Sequence, residues 1–531
     1  MTVPADAVPM DEATRAVRRI TWPNLLRRHA FQLGERTAIR WQGRSVSWRE
    51  FDRFADDFAD ALYAAGVRAG DRVALLMLNR PEFIYATIGA QRIGAVVVPV
   101  NFRFAPPELA HVLGVVEPAV VVVDVPLLPG LQAALATTQQ RPVVVATGAS
   151  EPIDGIQTYA QFASGDHPEH PLVDVAENDP ALIMFTSGTT GRPKGATLSH
   201  LNMHGNGLTC VQAWNSREDD ITLLATPLFH IGGIGVCSGT LLAGSSIVLQ
   251  ETGLFDAGAT LDLMERERVT GTFLVPAQWQ TVVAEQERQP REICLRVLSW
   301  GAAPATEHLL RRMSEVFPGG SSIAVFGQSE MSPITCVLHE QDAIRKLGSV
   351  GRPISTLAVR VLDPLGHDVA PGEVGEIVYR GPTQMMGYWR DPQATADAFV
   401  NGWFRSGDLV RIDDEGFVFV VDRTKDMVIS GGENIYCLEV ENVLAEHPDI
   451  LEVTVVGGPH PTYGETPVAV AVLRAGAQLT LPQLREWADG RIARYKLPTE
   501  LHLVAALPRN PSGKVLKAQL RQELSAEGSS A

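Results

Sequence analysis

The chain has 531 residues, enough for more than one domain and a large, subdivided core. Hydrophobic residues make up 45% and charged residues 20%, an ordinary globular composition. Lys and Arg number 45 against 61 Asp and Glu, a net charge of −16; this excludes a nucleic-acid scaffold, whose surface must be basic, but leaves room for a local patch that holds a small anion.

From the start of the chain, the first twenty residues contain acidic side chains and no long apolar core, so no signal peptide is expected there. The apolar, β-branched runs 72–77, 95–100, 119–125 and 142–146 have the texture of strands buried on both faces of a parallel sheet. A helix is expected over 81–93, with Pro81 in its first turn. The run 181–185 reads as a further strand. Residues 231–249 carry no charge and are long enough to raise the question of a membrane span, but their Gly and Ser content predicts a buried helix followed by a strand. Short strands separated by turn residues follow at 376–380, 409–412 and 416–421. Beyond Asp422 the pattern predicts helices at 439–446 and 481–492 and strands at 452–457 and 468–473. The expected fold class is α/β: a large N-terminal domain (1–423) of layered α/β subdomains plus a β-rich subdomain, then a small, mobile α+β C-terminal domain (424–531). Cys210, Cys237, Cys294, Cys336 and Cys437 are scattered and form no CxxC pair, which predicts reduced thiols in a cytoplasmic protein.

The strongest chemical signal follows the 181–185 strand. Thr186, Ser187, Gly188, Thr189, Thr190, Gly191 and Lys194 crowd hydroxyls, glycines and a cation into one short loop. Glycines let backbone N–H groups converge on an anion, hydroxyls add donors and lysine adds charge, so the expected ligand is a polyphosphate. The alternative is a plain surface loop. No GxxxxGK[ST] is present and no GxGxxG follows a strand, so neither a Walker loop nor a dinucleotide fold is expected. Ser187 has no GxSxG elbow around it. His200 and His204 lie four apart without an HExxH pattern and read as ordinary helix residues.

This loop resembles the phosphate loop of the adenylate-forming superfamily of acyl-CoA synthetases, luciferases and nonribosomal adenylation domains, and the resemblance continues in order along the chain. Gly301, Ala302, Ala303 and Pro304 resemble the adenine-contacting segment. Phe326, Gly327, Gln328, Ser329 and Glu330 are similar to YGxTE. Gly387 and Tyr388 lie in a stretch like the one that precedes the ribose motif. Residues 403–408 resemble WFxTGD, 422–426 the hinge motif, Gly431 and Gly432 the glycine pair after it, and 508–514 the C-terminal lysine motif. The texture is most like the fatty and aryl acyl-CoA synthetases.

The resemblance implies an ATP- and Mg²⁺-dependent ligase that activates a carboxylic acid as acyl-AMP and passes it to coenzyme A. An amine or a carrier-protein thiol is the alternative acceptor. A carboxylate is a poor electrophile, and adenylation supplies a good leaving group; the protein must position two anions and neutralise charge. The implied catalytic residues are Lys514, Glu330 and His230. Glu330 would hold Mg²⁺, Lys514 would act as a cation at the carboxylate and α-phosphate, and His230 would line the acyl and adenylate site. Asp408 would accept the ribose hydroxyls, with Arg423 beside it. Lys425 would be the hinge and Gly432 would line the pantetheine path. For the acyl pocket the motif positions suggest His230, Gly301, Gly327, Pro333 and Ile334, with Trp300 and Trp279 nearby. Trp300 shortens the tunnel if it points into the pocket, and does not if it points into the core. A carboxylic acid and coenzyme A are thus the expected partners, with no nucleic acid, no stable membrane insertion, and a monomer or homodimer as the assembly.

Overall fold

The computed structural model describes residues 11–186, 193–431, 433–509 and 514–528, with side chains to Leu524. The chain divides into two compact units: residues 1–358 with 380–402, and residues 359–379 with 403–531.

The first unit contains two sheets. In one, Val96–Pro99, Arg72–Leu76, Val120–Asp124 and Val143–Thr147 lie side by side in parallel. The valines of the first three are buried on both faces, as continuous apolar runs require, whereas Val143 at the start of the fourth is exposed. Pro180–Thr186 extends this sheet in parallel beside Val96–Pro99, Lys194–Ser199 returns antiparallel to it, and Gly387–Tyr388 pairs with that return strand. The strand that leads into the glycine-rich loop, the strand that leaves it and Tyr388 are therefore neighbours. The helix Pro81–Arg92 starts on Pro81 and is buried along most of its length.

In the other sheet Ser321–Gly327, Val297–Gly301, Gly271–Leu274, Ile221–Leu224 and Ser246–Leu249 run parallel, and Ile334–Leu338 pairs antiparallel with Ser321–Gly327. The uncharged stretch 231–249 forms the helix Ile231–Ala243 and the strand Ser246–Leu249, both largely buried. Among the described residues, no helix is long and apolar enough to cross a membrane.

The second unit opens with an antiparallel set, Gly375–Arg380, Trp403–Ile412 and Val418–Arg423. A second sheet follows, in which Ile450–His460 and Gly464–Leu473 form a long antiparallel pair flanked by Val428–Ser430 and Glu500–Leu503. Alternation splits its side chains between two cores. Val455 and Ala469 pack with Val440 and Leu444 of the helix Cys437–Ala445, while Val456, Val468 and Val470 pack with Leu507 and Leu520 on the opposite face. The helix expected over 481–492 spans only Leu481–Ala488. Asp489 is extended (ψ 133°) and Gly490 has φ +76°, a left-handed turn that ends the helix.

Candidate active site

In the first unit, the described residues around the glycine-rich loop converge on one carboxylate. Glu330 sits in a short 3₁₀ turn, Ser329–Met331, and is 9% exposed. Thr186, the last residue of its strand, donates its hydroxyl to Glu330 Oε1 at 3.3 Å, and Tyr388 donates its phenol to the same oxygen at 3.1 Å. The Glu330 carbonyl accepts the Met385 N–H at 2.8 Å, which ties the turn to the segment leading to Tyr388. Lys194, in register with Thr186, places its ammonium 5.4 Å from the centroid of the Tyr388 ring. Burial and the neighbouring Glu330 carboxylate both raise the Tyr388 phenol well above its ordinary pKa, so it remains a donor. The predicted loop residues Ser187, Gly188, Thr189, Thr190 and Gly191 lie outside the described residues, as does Gly432.

The neighbouring motifs are shaped by close backbone approach. A side chain at Gly327 would place its Cβ 1.8 Å from the Pro333 carbonyl oxygen, and one at Gly301 would place it 2.3 Å from the Val325 carbonyl oxygen. Only glycine fits either position. Ala302 has φ +65°, a left-handed conformation that is strained for alanine; it and Ala303 are exposed. Phe326 and Ser329 are half-buried. Among the described residues, the buried Nε2 of Gln328 has no hydrogen-bond partner. An orphaned donor two residues from a buried carboxylate fits a site that takes up a polar ligand. The carboxylate itself is a hard oxygen donor of the kind Mg²⁺ prefers.

His230 is exposed at the N-cap of the helix Ile231–Ala243, where its Nδ1 accepts the Gly232 N–H at 3.1 Å. That bond places the proton of a neutral ring on Nε2. Asn79, which sequence reasoning missed, positions the loop that carries it: the Asn79 side chain accepts from Leu228 N and donates to the Thr226 carbonyl. Pro333 is half-buried, and Ile334 is buried on the adjoining strand. Trp300 is 7% exposed and donates its indole N–H to Ser322 Oγ at 3.0 Å. Ser322 lies two residues before Ala324, the register partner of Trp300, so the indole leans back along its own face of the sheet. Trp279 is fully buried, with its N–H on the Ser299 carbonyl and its ring against Phe317. His200 is buried and His204 partly so, both on the helix His200–Trp214.

In the second unit, Asp408 and Arg423 face each other in register on paired strands. Arg423 Nε donates to Asp408 Oδ1 at 2.7 Å, and the Asp408 side chain is 7% exposed. The turn before Asp408 is fixed by Glu376, which accepts the Gly407 N–H, and by Ser406, which accepts the Asp408 N–H. Lys514 is exposed and precedes Val515, which bridges Arg509, while Leu516 N bonds the Pro508 carbonyl. Lys425 is exposed between the strands Val418–Arg423 and Val428–Ser430.

Residues 26–389 match the AMP-binding enzyme family, and residues 439–514 match the AMP-binding enzyme C-terminal domain. A feruloyl-CoA synthase from an Amycolatopsis species is 39% identical over 504 residues, covering 94% of this chain and 98% of the relative. The indoleacetate–CoA ligase of Aromatoleum aromaticum is also 39% identical, covering 93% and 96%. Among solved structures, the o-succinylbenzoate CoA synthetase of Bacillus subtilis in complex with an acyl-adenylate superposes with a TM-score of 0.84 at 29% identity, covering 94% of this chain and 98% of that one. The same enzyme has been solved with ATP and magnesium ion.

Proposed function

The chain belongs to the AMP-binding enzyme family, and from that membership we propose that it is an AMP-forming acyl-CoA synthetase acting on an aryl-bearing carboxylic acid. The carrying observation is the Glu330 carboxylate, which Thr186 and Tyr388 hold at the end of the strand Pro180–Thr186.

In the first half-reaction a carboxylate oxygen attacks the α-phosphorus of ATP, the bond to pyrophosphate breaks, and acyl-AMP forms. Thr186, Lys194 and the glycine-rich loop bind the phosphates. Glu330 is the ligand for Mg²⁺, which when bound offsets phosphate charge. Asp408 accepts hydrogen bonds from the ribose hydroxyls, and Arg423 orients it. Lys514 supplies a cation where negative charge is shared between the carboxylate and the α-phosphate. Phe326 offers its ring to adenine but, unlike tyrosine, no hydroxyl.

In the second half-reaction the sulfur of coenzyme A attacks the acyl carbon, the bond to AMP breaks, and the thiol proton leaves to solvent. Residues 424–531 turn about Lys425 between the two steps, and His230 borders the acyl group. The acid class rests on the two relatives at 39% identity, whose names specify feruloyl and indoleacetate groups. A long-chain-fatty-acid–CoA ligase from Mycobacterium tuberculosis is 35% identical and supports a fatty acid less strongly.

The test is acid-dependent pyrophosphate release, with coenzyme A present, across ferulate, indoleacetate, short branched acids and a long-chain fatty acid. The proposal expects the aromatic acids to give the highest kcat/KM. A clear preference for the long chain would overturn the acid class and leave the reaction type standing.

A further inference from the structure

His230 belongs to the second sheet of its unit, yet the loop that leads to it is held from the first. Asn79 follows the strand Arg72–Leu76 of the first sheet and is 3% exposed. Its Nδ2 donates to the Thr226 carbonyl at 3.1 Å, and its Oδ1 accepts the Leu228 N–H at 2.8 Å. One amide therefore brackets Pro227, taking the carbonyl before it and the N–H after it. Asn79 is itself anchored. Its own N–H donates to Thr252 Oγ1 at 2.9 Å. On either side, Leu78 N and the Arg80 guanidinium both bond the buried Asp124 carboxylate, at the end of the strand Val120–Asp124.

The bracketed residue passes its position on to His230. The Pro227 carbonyl accepts the His230 N–H at 3.0 Å. The first turn of the helix Ile231–Ala243 then sits directly on that carbonyl: a Cβ on Gly233 would lie 2.5 Å from the Pro227 oxygen. Between the two, Phe229 meets Phe102, which follows the strand Val96–Pro99 of the first sheet, edge-to-face with ring centroids 4.9 Å apart. The nucleotide side is held by separate bonds, those of Thr186 and Tyr388 to Glu330.

We propose that Asn79 is a positioning residue for His230: by bracketing Pro227 it sets the place of the imidazole, and so governs how the enzyme uses its acid without touching it. The inference rests on the reading of His230 as a border of the acyl group. Without the amide, the Thr226 carbonyl and the Leu228 N–H lose their partners and the loop must shift to find others. A displacement of about 1 Å at a group beside the reacting atoms can cost on the order of a hundredfold in rate. His230 borders the acyl group and is one contact among several, so a smaller loss, of about tenfold, is expected. The loss should fall on the acid and spare ATP, because the bonds that hold Glu330 do not pass through this loop.

A double-mutant cycle on the full-length enzyme tests this. Steady-state pyrophosphate release with coenzyme A present is measured for wild type, Asn79→Ala, His230→Ala and the double variant, varying ATP and ferulate or the preferred acid in turn. Asn79→Ala is expected to lower kcat/KM for the acid about tenfold and to leave KM for ATP within about twofold of wild type. In the His230→Ala background the same substitution should cost less than about twofold, because the group it positions is gone. A merely structural role would give the same loss in both backgrounds, or raise both KM values together, and either result overturns the proposal. Asn79→Ser, whose shorter hydroxyl cannot span both partners, goes through the same cycle and should lie between Ala and wild type. If a thermal melt shows that Asn79→Ala does not fold, the serine variant decides by the same criterion. The two readings fail differently. If His230→Ala alone leaves kcat/KM for the acid unchanged, the reading of His230 fails and the positioning role goes with it. If His230→Ala lowers it while the Asn79 variants match wild type, His230 keeps its place and Asn79 does not position it.

Discussion

Tyr388 donates its phenol to Glu330 at 3.1 Å, on the oxygen that also accepts the Thr186 hydroxyl. Two neutral donors fix the orientation of this carboxylate, which is what the proposed Mg²⁺ ligand requires. Tyr388→Phe removes one donor and leaves the ring that Lys194 approaches. The variant should need a several-fold higher Mg²⁺ concentration for half-maximal pyrophosphate release, with a smaller change in the saturated rate. Glu330→Gln should be much worse, because it removes the charge itself. A Mg²⁺ titration of both variants checks the order; identical Mg²⁺ dependence in Tyr388→Phe and wild type would remove the tyrosine from the site.

The Asp408–Arg423 pair leads to a different signature. Arg423→Gln leaves a nearly buried carboxylate with a weaker partner, so its orientation toward a ribose is loosened. The expected result is a rise of about tenfold in KM for ATP, a scale set by the loss of a charged hydrogen bond. The KM for the acid should be unaffected. Equal increases for both substrates would argue for a structural ion pair with no specific part in nucleotide binding.

Glycine substitutions should divide by geometry. Gly327→Ala forces a Cβ to within 1.8 Å of the Pro333 carbonyl oxygen, so the backbone between the Phe326 and Glu330 positions must move. We expect a lower melting temperature and near-complete loss of adenylation. Gly114, exposed in the helix Pro106–Val116, has no neighbour within 4 Å of its Cβ position, and Gly114→Ala should raise stability by about 0.5–1 kcal/mol with activity unchanged. Thermal melts of the two variants, compared with wild type, decide this.

His200 provides a pH test of the fold. Burial lowers its pKa from 6.5 to about 4. Between those values the unfolded chain binds a proton that the folded chain refuses. The contribution is therefore fully present above pH 6.5 and is lost as pH falls through this window, by roughly 3 kcal/mol at the lower end. Urea unfolding at pH 7 and pH 4.5 should show a smaller acid-induced drop for His200→Gln than for wild type. Equal drops would mean that other groups carry the acid sensitivity.

Much of this organisation is legible in the sequence because it is local. The buried β-branched runs, Pro81 at a helix start and the glycine-rich loop after a strand each declare themselves within ten residues. What the sequence hides is long-range. Tyr388 reaches Glu330 across 58 positions, and Asn79 holds Leu228 across 149. Trp300 donates to the Ser322 hydroxyl on the neighbouring strand, 22 positions away. The overlong helix at 481–492 shows the converse: Asp489 and Gly490 were turn residues in plain view, outweighed by the apolar spacing around them.

The central claim is that the adenylate goes to a thiol. The most direct measurement forms the acyl-AMP on the enzyme with ferulate, ATP and Mg²⁺, then adds either coenzyme A or an amino acid and identifies the products by mass spectrometry. The account predicts rapid thioester and AMP with coenzyme A, and slow hydrolysis with the amino acid. An amide formed at turnover rates, with no thioester, would contradict it.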